Sequence, residues 1–267
     1  MSLDYKKIQK YISVQRLQNY ELVCHGNIRR ALKLYQTNLR LSQAFYPLLS
    51  LFEVVLRNAL NEELTSHISD PEWLRNQVKG FMVDPSLTFI DPVSGKPKHN
   101  HYLKNCVTNS VKKLIPPVTQ GKIIADLTFG FWTALFDPTH YKILTGRPIK
   151  IFNSLPPGTN RNTIHKKLIR IRDFRNRVYH NEPVIFHNDL AKGITFNLLQ
   201  LETIYKDIND FFEWLNLDFN KWTQRINNIN FEISRAECMM KYYPLKIYYF
   251  KRIIIWFKYY SNYLNNR

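Results

Sequence analysis

The sequence predicts an all-α protein, and three observations carry that expectation. Apolar residues recur three or four positions apart over long stretches, the spacing of one helical face. Glycine is scarce, 8 in 267 residues, and clusters of turn residues are few. Neither an internal repeat nor an alternation of strands with helices is present. At 45% apolar and 14% aromatic, the chain can build a sizeable core and is not disordered by composition. Its length suits one large domain, or a domain with an appendage.

Each element follows in order. Residues 27–65 read as helical almost throughout, with Leu48, Phe52, Val55, Leu56 and Ala59 on one side. Pro47 is expected to begin the second of two helices there, because proline suits a first turn. Residues 80–101 carry three prolines and turn dipeptides and read as a loop insertion holding at most a short hairpin. Helix resumes over 102–114, breaks at Pro116-Pro117 and returns over 123–136. After the break at 153–158 a further helix opens near 159–163 and stops before Pro183, where the preceding residue is pushed out of the α region. Residues 199–215 form an amphipathic helix with Leu201, Ile204, Ile208, Phe211 and Phe212 on one side. One or two more helices are expected beyond Asn216. The spacing therefore predicts a helical domain over 1–215 and a C-terminal helical extension over 216–267 docked on it.

Charge narrows the function. With 38 Lys and Arg against 21 Asp and Glu, the formal charge is +17, which attracts polyanions, and nucleic acid is the commonest of these. A generally basic composition from an AT-rich genome is the plainer reading of the same numbers. Cys24, Cys106 and Cys238 form neither a disulfide framework nor a CxxC pair, which fits a reducing cytoplasm. No signal-peptide stretch opens the sequence, and no window reaches 18 uncharged apolar residues, so stable membrane insertion is not expected. Residues 247–260 come nearest, but Lys251, Arg252 and Lys258 interrupt them. Phosphate-binding and dinucleotide motifs are absent, and His99 and His101 lack a third ligand of suitable spacing, so neither cofactor nor metal is expected. Phe129, Phe131 and Trp132 can stack on bases, though such a stripe more often forms core.

The most informative run is Arg175-Asn176-Arg177-Val178-Tyr179-His180. A guanidinium neutralises charge on a phosphate in a transition state, an imidazole moves protons near neutral pH, and an amide orients either. Arg175 follows Ile164, Leu168 and Ile171 in the apolar spacing and is expected on the inner face, lining a cleft, buried in an ion pair or reaching solvent along its long stem. Arg170, Asp173 and Arg177 fall on other faces, as ordinary solvated charges. His180 lies about 140° further round an ideal helix, so the long arginine stem, the helix end or a second copy of the chain must bring the two together. As a helix C-cap, His180 would instead complement the dipole. A second constellation joins Glu53, Arg57 and Asn58; Glu53 and Arg57 are spaced for a helix ion pair, with Arg57 otherwise available to RNA.

The run FRNRVYHNEP resembles the signature of HEPN-domain ribonucleases. Together with SLFEVVLRNAL (50–60) and IADLTFGFWTALF (123–136 region), in this order, it resembles the Abi-like family of bacterial abortive-infection proteins over roughly residues 25–215. The resemblance implies a HEPN-like helical bundle with additional N- and C-terminal helices, homodimerisation, and metal-independent endoribonuclease activity used against phage or as a toxin. It makes Arg175 and His180 the catalytic pair and Asn176 the polar residue between them, with Arg57, Asn58 and Arg177 as RNA-binding or supporting groups. An antitoxin or regulatory RNA would be a further partner. The rival expectation is a HEPN-like module that binds RNA or protein without cutting. A toxin modified on a tyrosine two residues after the histidine does not fit, because that position is Glu182.

Overall fold

Helices dominate this computed structural model, which describes residues 5–191 and 193–265. The chain begins with α1 (Tyr5–Ile12) and α2 (Val14–Val23) and continues into a single long helix, α3 (Ile28–Ile68). Pro47 lies inside α3 and does not begin a second helix. An interior proline removes one backbone bond, here the one to the Gln43 carbonyl. Gln43 is exposed, on the side of the helix open to solvent, while buried Ala44, Phe45, Leu48 and Leu49 hold the helix together through packing. α3 is also long and apolar enough to cross a membrane, but Leu34, Leu41, Phe45, Phe52, Leu56 and Leu60 spend that apolarity on protein core.

Next come α4 (Trp73–Asn76), a series of 3-10 turns, and a small antiparallel hairpin of β1 (Thr88–Ile90) and β2 (Pro97–His99), with Thr88 opposite His99. This hairpin sits where the loop insertion was expected. α5 (Tyr102–Lys113) follows, then α6 (Gln120–Asp126), α7 (Phe129–Ala134) and α8 (Pro138–Ile143). The expected helix over 123–136 is thus two, because Leu127 and Thr128 are extended between them. α9 (Arg161–Tyr179) carries the central motif. After it stands an unanticipated hairpin, β3 (Phe186–Asp189) with β4 (Gly193–Phe196), in which Phe186 faces Phe196. α10 (Leu199–Trp214) matches its expected span, and the tail forms α11 (Phe219–Thr223), α12 (Ile229–Tyr242) and α13 (Lys246–Asn265).

Two compact units divide the chain, and the division falls within α3, α9 and α10. The first unit holds the described parts of 1–49 and 219–267 with Phe174–Lys206. Its core includes Leu17, Tyr20, Leu34, Phe45, Phe174, Ile185 and Ile233, and Tyr20 meets Phe186 edge to face at 4.8 Å. Arg30 donates to the Met240 carbonyl and ties α3 to α12. The second unit holds Ser50–Asp173 and Asp207–Asp218. Phe52 meets Phe129, Phe211 and Phe212 there, and Phe129, Phe131 and Trp132 are buried, so this aromatic stripe is core. Arg170 is not an ordinary solvated charge: it donates from Nε and Nη2 to buried Asp207, which also accepts from Lys167 at 2.6 Å. Burial works against the Lys167 ammonium, but bonds to Asp207 and Asp210 outweigh it and raise its pKa above the ordinary lysine range.

Candidate functional site

The motif lies in the first unit, on the last turn of α9 and the bend beyond it. The α9 apolar stripe of Ile164, Leu168 and Ile171 continues through Phe174 and Val178, all buried. Arg175 is half-buried beside this stripe and not within it; Phe174 takes the inner position and meets Phe45 of α3 edge to face at 4.9 Å. This corrects the expected inner-face arginine. A spacing of three and a spacing of four both continue a helical stripe, and the phenyl ring takes the dry position.

Arg175 Cζ lies over the Tyr179 ring, 3.9 Å from its centre, and Arg175 donates from Nη1 to Asn176 Oδ1 at 3.3 Å. Tyr179 in turn stacks on Tyr46 of α3, centroid to centroid 5.1 Å. The guanidinium is therefore drawn one turn along α9 towards its C-terminal end, where His180 begins the exit. His180 sits at the C-cap. Asn181 follows in the left-handed region at φ 56°, its N–H donates to Val178 O, and the Glu182 N–H donates to Arg177 O at 2.8 Å. These two bonds form a Schellman motif, and asparagine tolerates its left-handed position. The His180 side chain is exposed.

The bend is fastened from several directions. Arg177 is half-buried and donates to the Pro183 carbonyl and to Gln200 Oε1, so it clamps the exit of the helix. Arg16 of α2 donates from Nη1 to Asn181 O at 2.6 Å. Buried Asn38 of α3 accepts from the Val184 N–H at 2.8 Å. Arg177 also lines a cleft of about 430 Å³ with Asn19, His187, Asn188 and Gln200. Burial pushes the Tyr20 phenol beneath this region up, Tyr35 adds to the shift, and Arg16 and Arg177 oppose it.

Arg57 and Asn58 belong to the second unit. Asn58 is exposed and Arg57 half-buried, with its Nε buried and without a hydrogen-bond partner. His99 and His101 lie with ring centres 4.5 Å apart, and no group of three or more His, Cys, Asp or Glu suited to a metal occurs among the described residues.

The structure thus joins Arg175 to Asn176 and adds Tyr179 and Tyr46, which sequence reasoning passed over. The four-residue step from Arg175 to Tyr179 was a readable signal. Arg16, Asn38 and His187 left none, since they reach the motif only through folding. No protein-family model, no curated protein and no solved structure matches the chain.

Proposed function

We propose that this protein is a metal-independent endoribonuclease of the HEPN type, with Arg175 and His180 as its catalytic pair. One observation carries the reading: Arg175 is stacked on Tyr179 and steadied by Asn176, so that its guanidinium is held towards the helix end where exposed His180 stands. RNA brings its own nucleophile. The 2′-oxygen forms a bond to phosphorus as its proton leaves, the bond to the 5′-oxygen breaks, and that oxygen gains a proton. His180 carries one of the two proton transfers and Arg175 holds the charge on the non-bridging oxygens. The products are a 2′,3′-cyclic phosphate and a 5′-hydroxyl, and DNA is inert. Asn176 keeps the guanidinium in place, and Arg177 keeps the bend in place.

Arg175 and His180 lie about 140° apart around an ideal helix, which favours a homodimer in which one copy supplies the arginine and its partner the histidine. The charge of +17 supports RNA as the substrate, in a cytoplasmic setting. The resemblance of the FRNRVYHNEP run and its flanking segments to abortive-infection proteins supports a role in defence against phage or as a toxin. Replacement of either residue tests the mechanism. Arg175→Ala and His180→Ala are each expected to lower RNA cleavage about 100-fold or more with the melting curve retained. Cleavage at the parental rate by both variants refutes the pair. Retained RNA binding by a wild-type protein that never cuts would instead identify a binding module.

A further inference from the structure

A second site of different chemistry opens in the first unit, where α12, α13 and the turn after α11 enclose a cleft of about 730 Å³. That size lies within the range of about 300–1,000 Å³ usual for small-molecule sites. Its wall carries three guanidinium groups, Arg225, Arg235 and Arg252, and no carboxylate. Arg235 is engaged by Glu232 at 2.7 Å; Arg252 lies over the Tyr248 ring at 5.5 Å and near enough to Glu232 to favour its charged form, and neither Arg225 nor Arg252 forms a salt bridge among the described residues. Aromatic rings form most of the rest of the wall, with Ile226, Asn228 and Ile253 between them. Trp256 and Tyr260 lie 4.4 Å apart, yet remain 46% and 43% exposed, and Phe231 meets Tyr259 at 4.6 Å. Core aromatics in this protein are buried outright, so half-open rings beside guanidinium groups are arranged for a ligand that is flat and apolar at one end and anionic at the other.

We propose that this cleft binds a nucleotide unit, its base stacked on Trp256 and Tyr260 and its phosphate held by Arg225 and Arg252. Aromatic faces accept any base, and the planar fork of a guanidinium matches two phosphate oxygens where an ammonium offers a single point charge. A free mononucleotide and one residue of a single RNA strand present this same chemistry. An anionic lipid has no planar ring for the stacked wall; a vesicle would engage the exposed Ile247, Phe250 and Phe257 outside the cleft. The site stands apart from the Arg175–His180 cluster and does not depend on its activity.

The test uses the full-length protein and a fluorescent 12-residue RNA methylated on every 2′-oxygen, which the proposed cleavage chemistry cannot cut. Its binding is followed by anisotropy, with AMP as competitor and anionic phospholipid vesicles as a separate probe. Trp256→Ala is expected to weaken binding about tenfold or more and Trp256→Phe to restore most of it. Arg252→Lys is expected to weaken it several-fold, because charge is kept and the fork lost. Competition by AMP at comparable concentration assigns the site to free nucleotides; failure of AMP to compete, with the oligomer bound through Trp256, assigns it to strands. Equal binding by wild type, Trp256→Ala and Arg252→Lys overturns the proposal. So does binding of neither nucleotide probe, or a Trp256 effect confined to vesicles. Methylated RNA separates this result from any failure of the nuclease reading.

Discussion

Tyr179 does the positioning work at the residue scale. Its ring receives the Arg175 guanidinium on one face and stacks on Tyr46, so removal of the ring releases the arginine from its pose. Tyr179→Ala is expected to lose about 1–2 kcal/mol of stability and to lower cleavage, while Tyr179→Phe keeps both, as chemical denaturation and rate assays would show. A purely structural role predicts lost stability with cleavage unchanged per folded molecule. Another residue gives a pH signature. Burial lowers the His165 pKa below its ordinary value, Asp137 at 2.8 Å opposes the shift, and Arg161 and Arg172 reinforce it. The folded state thus prefers the neutral ring. The stability that follows is present above about 6.5, where the unfolded imidazole is neutral too, and is lost as pH falls through the lowered folded value. Melting temperature is expected to fall between pH 7.5 and 5.5 by less in His165→Gln than in the parent.

Helix ends account for much of how the elements are arranged. After α2, α3, α8, α9 and α10 the chain leaves through His25, Ser69, Thr145, Asn181 and Asn216, all at positive φ. In each case the next N–H returns to the carbonyl five residues back, as in Glu182 to Arg177 and Leu217 to Phe212. A chain with so few glycines therefore stops its helices with other residues in the left-handed region, at some cost in strain. Asn181→Gly is expected to be neutral or stabilising by under about 1 kcal/mol, and Asn181→Val destabilising, by the same denaturation measurement. Pro47→Ala in α3 is expected to stabilise by up to about 3 kcal/mol, since it returns the missing bond to Gln43.

These ends explain what was legible in the sequence. Apolar spacing marked α5, α9 and α10 nearly to the residue, because packing on one face is written in that spacing. Pro47 misled, because a local preference yielded to the buried residues on either side of it. The β3–β4 hairpin was hidden, since its short runs carry no distinctive period, and the tail forms three helices where one or two were expected. At the candidate site the residue types were visible in one stretch, but the inner place of Phe174 and the clamps from Arg16 and Asn38 arise only in three dimensions.

Charge and copy number govern the whole molecule. If RNA is the proposed substrate, a formal charge of +17 makes its association depend on salt, and affinity is expected to fall steeply between 50 and 200 mM salt, roughly in proportion to the phosphates contacted. Assembly has a sharper signature. If one copy supplies Arg175 and its partner His180, then mixing the inactive Arg175→Ala and His180→Ala proteins rebuilds intact sites in mixed dimers, and about a quarter of all sites regain activity. A site complete within one chain predicts no recovery.

The most direct test incubates wild type and His180→Ala with end-labelled RNA and the matching DNA in EDTA and identifies the product ends. Metal-free cleavage by Arg175 and His180 gives 2′,3′-cyclic phosphate and 5′-hydroxyl RNA ends from wild type alone, with DNA untouched. Cut DNA, 5′-phosphate ends, or equal cleavage by the histidine variant would contradict it.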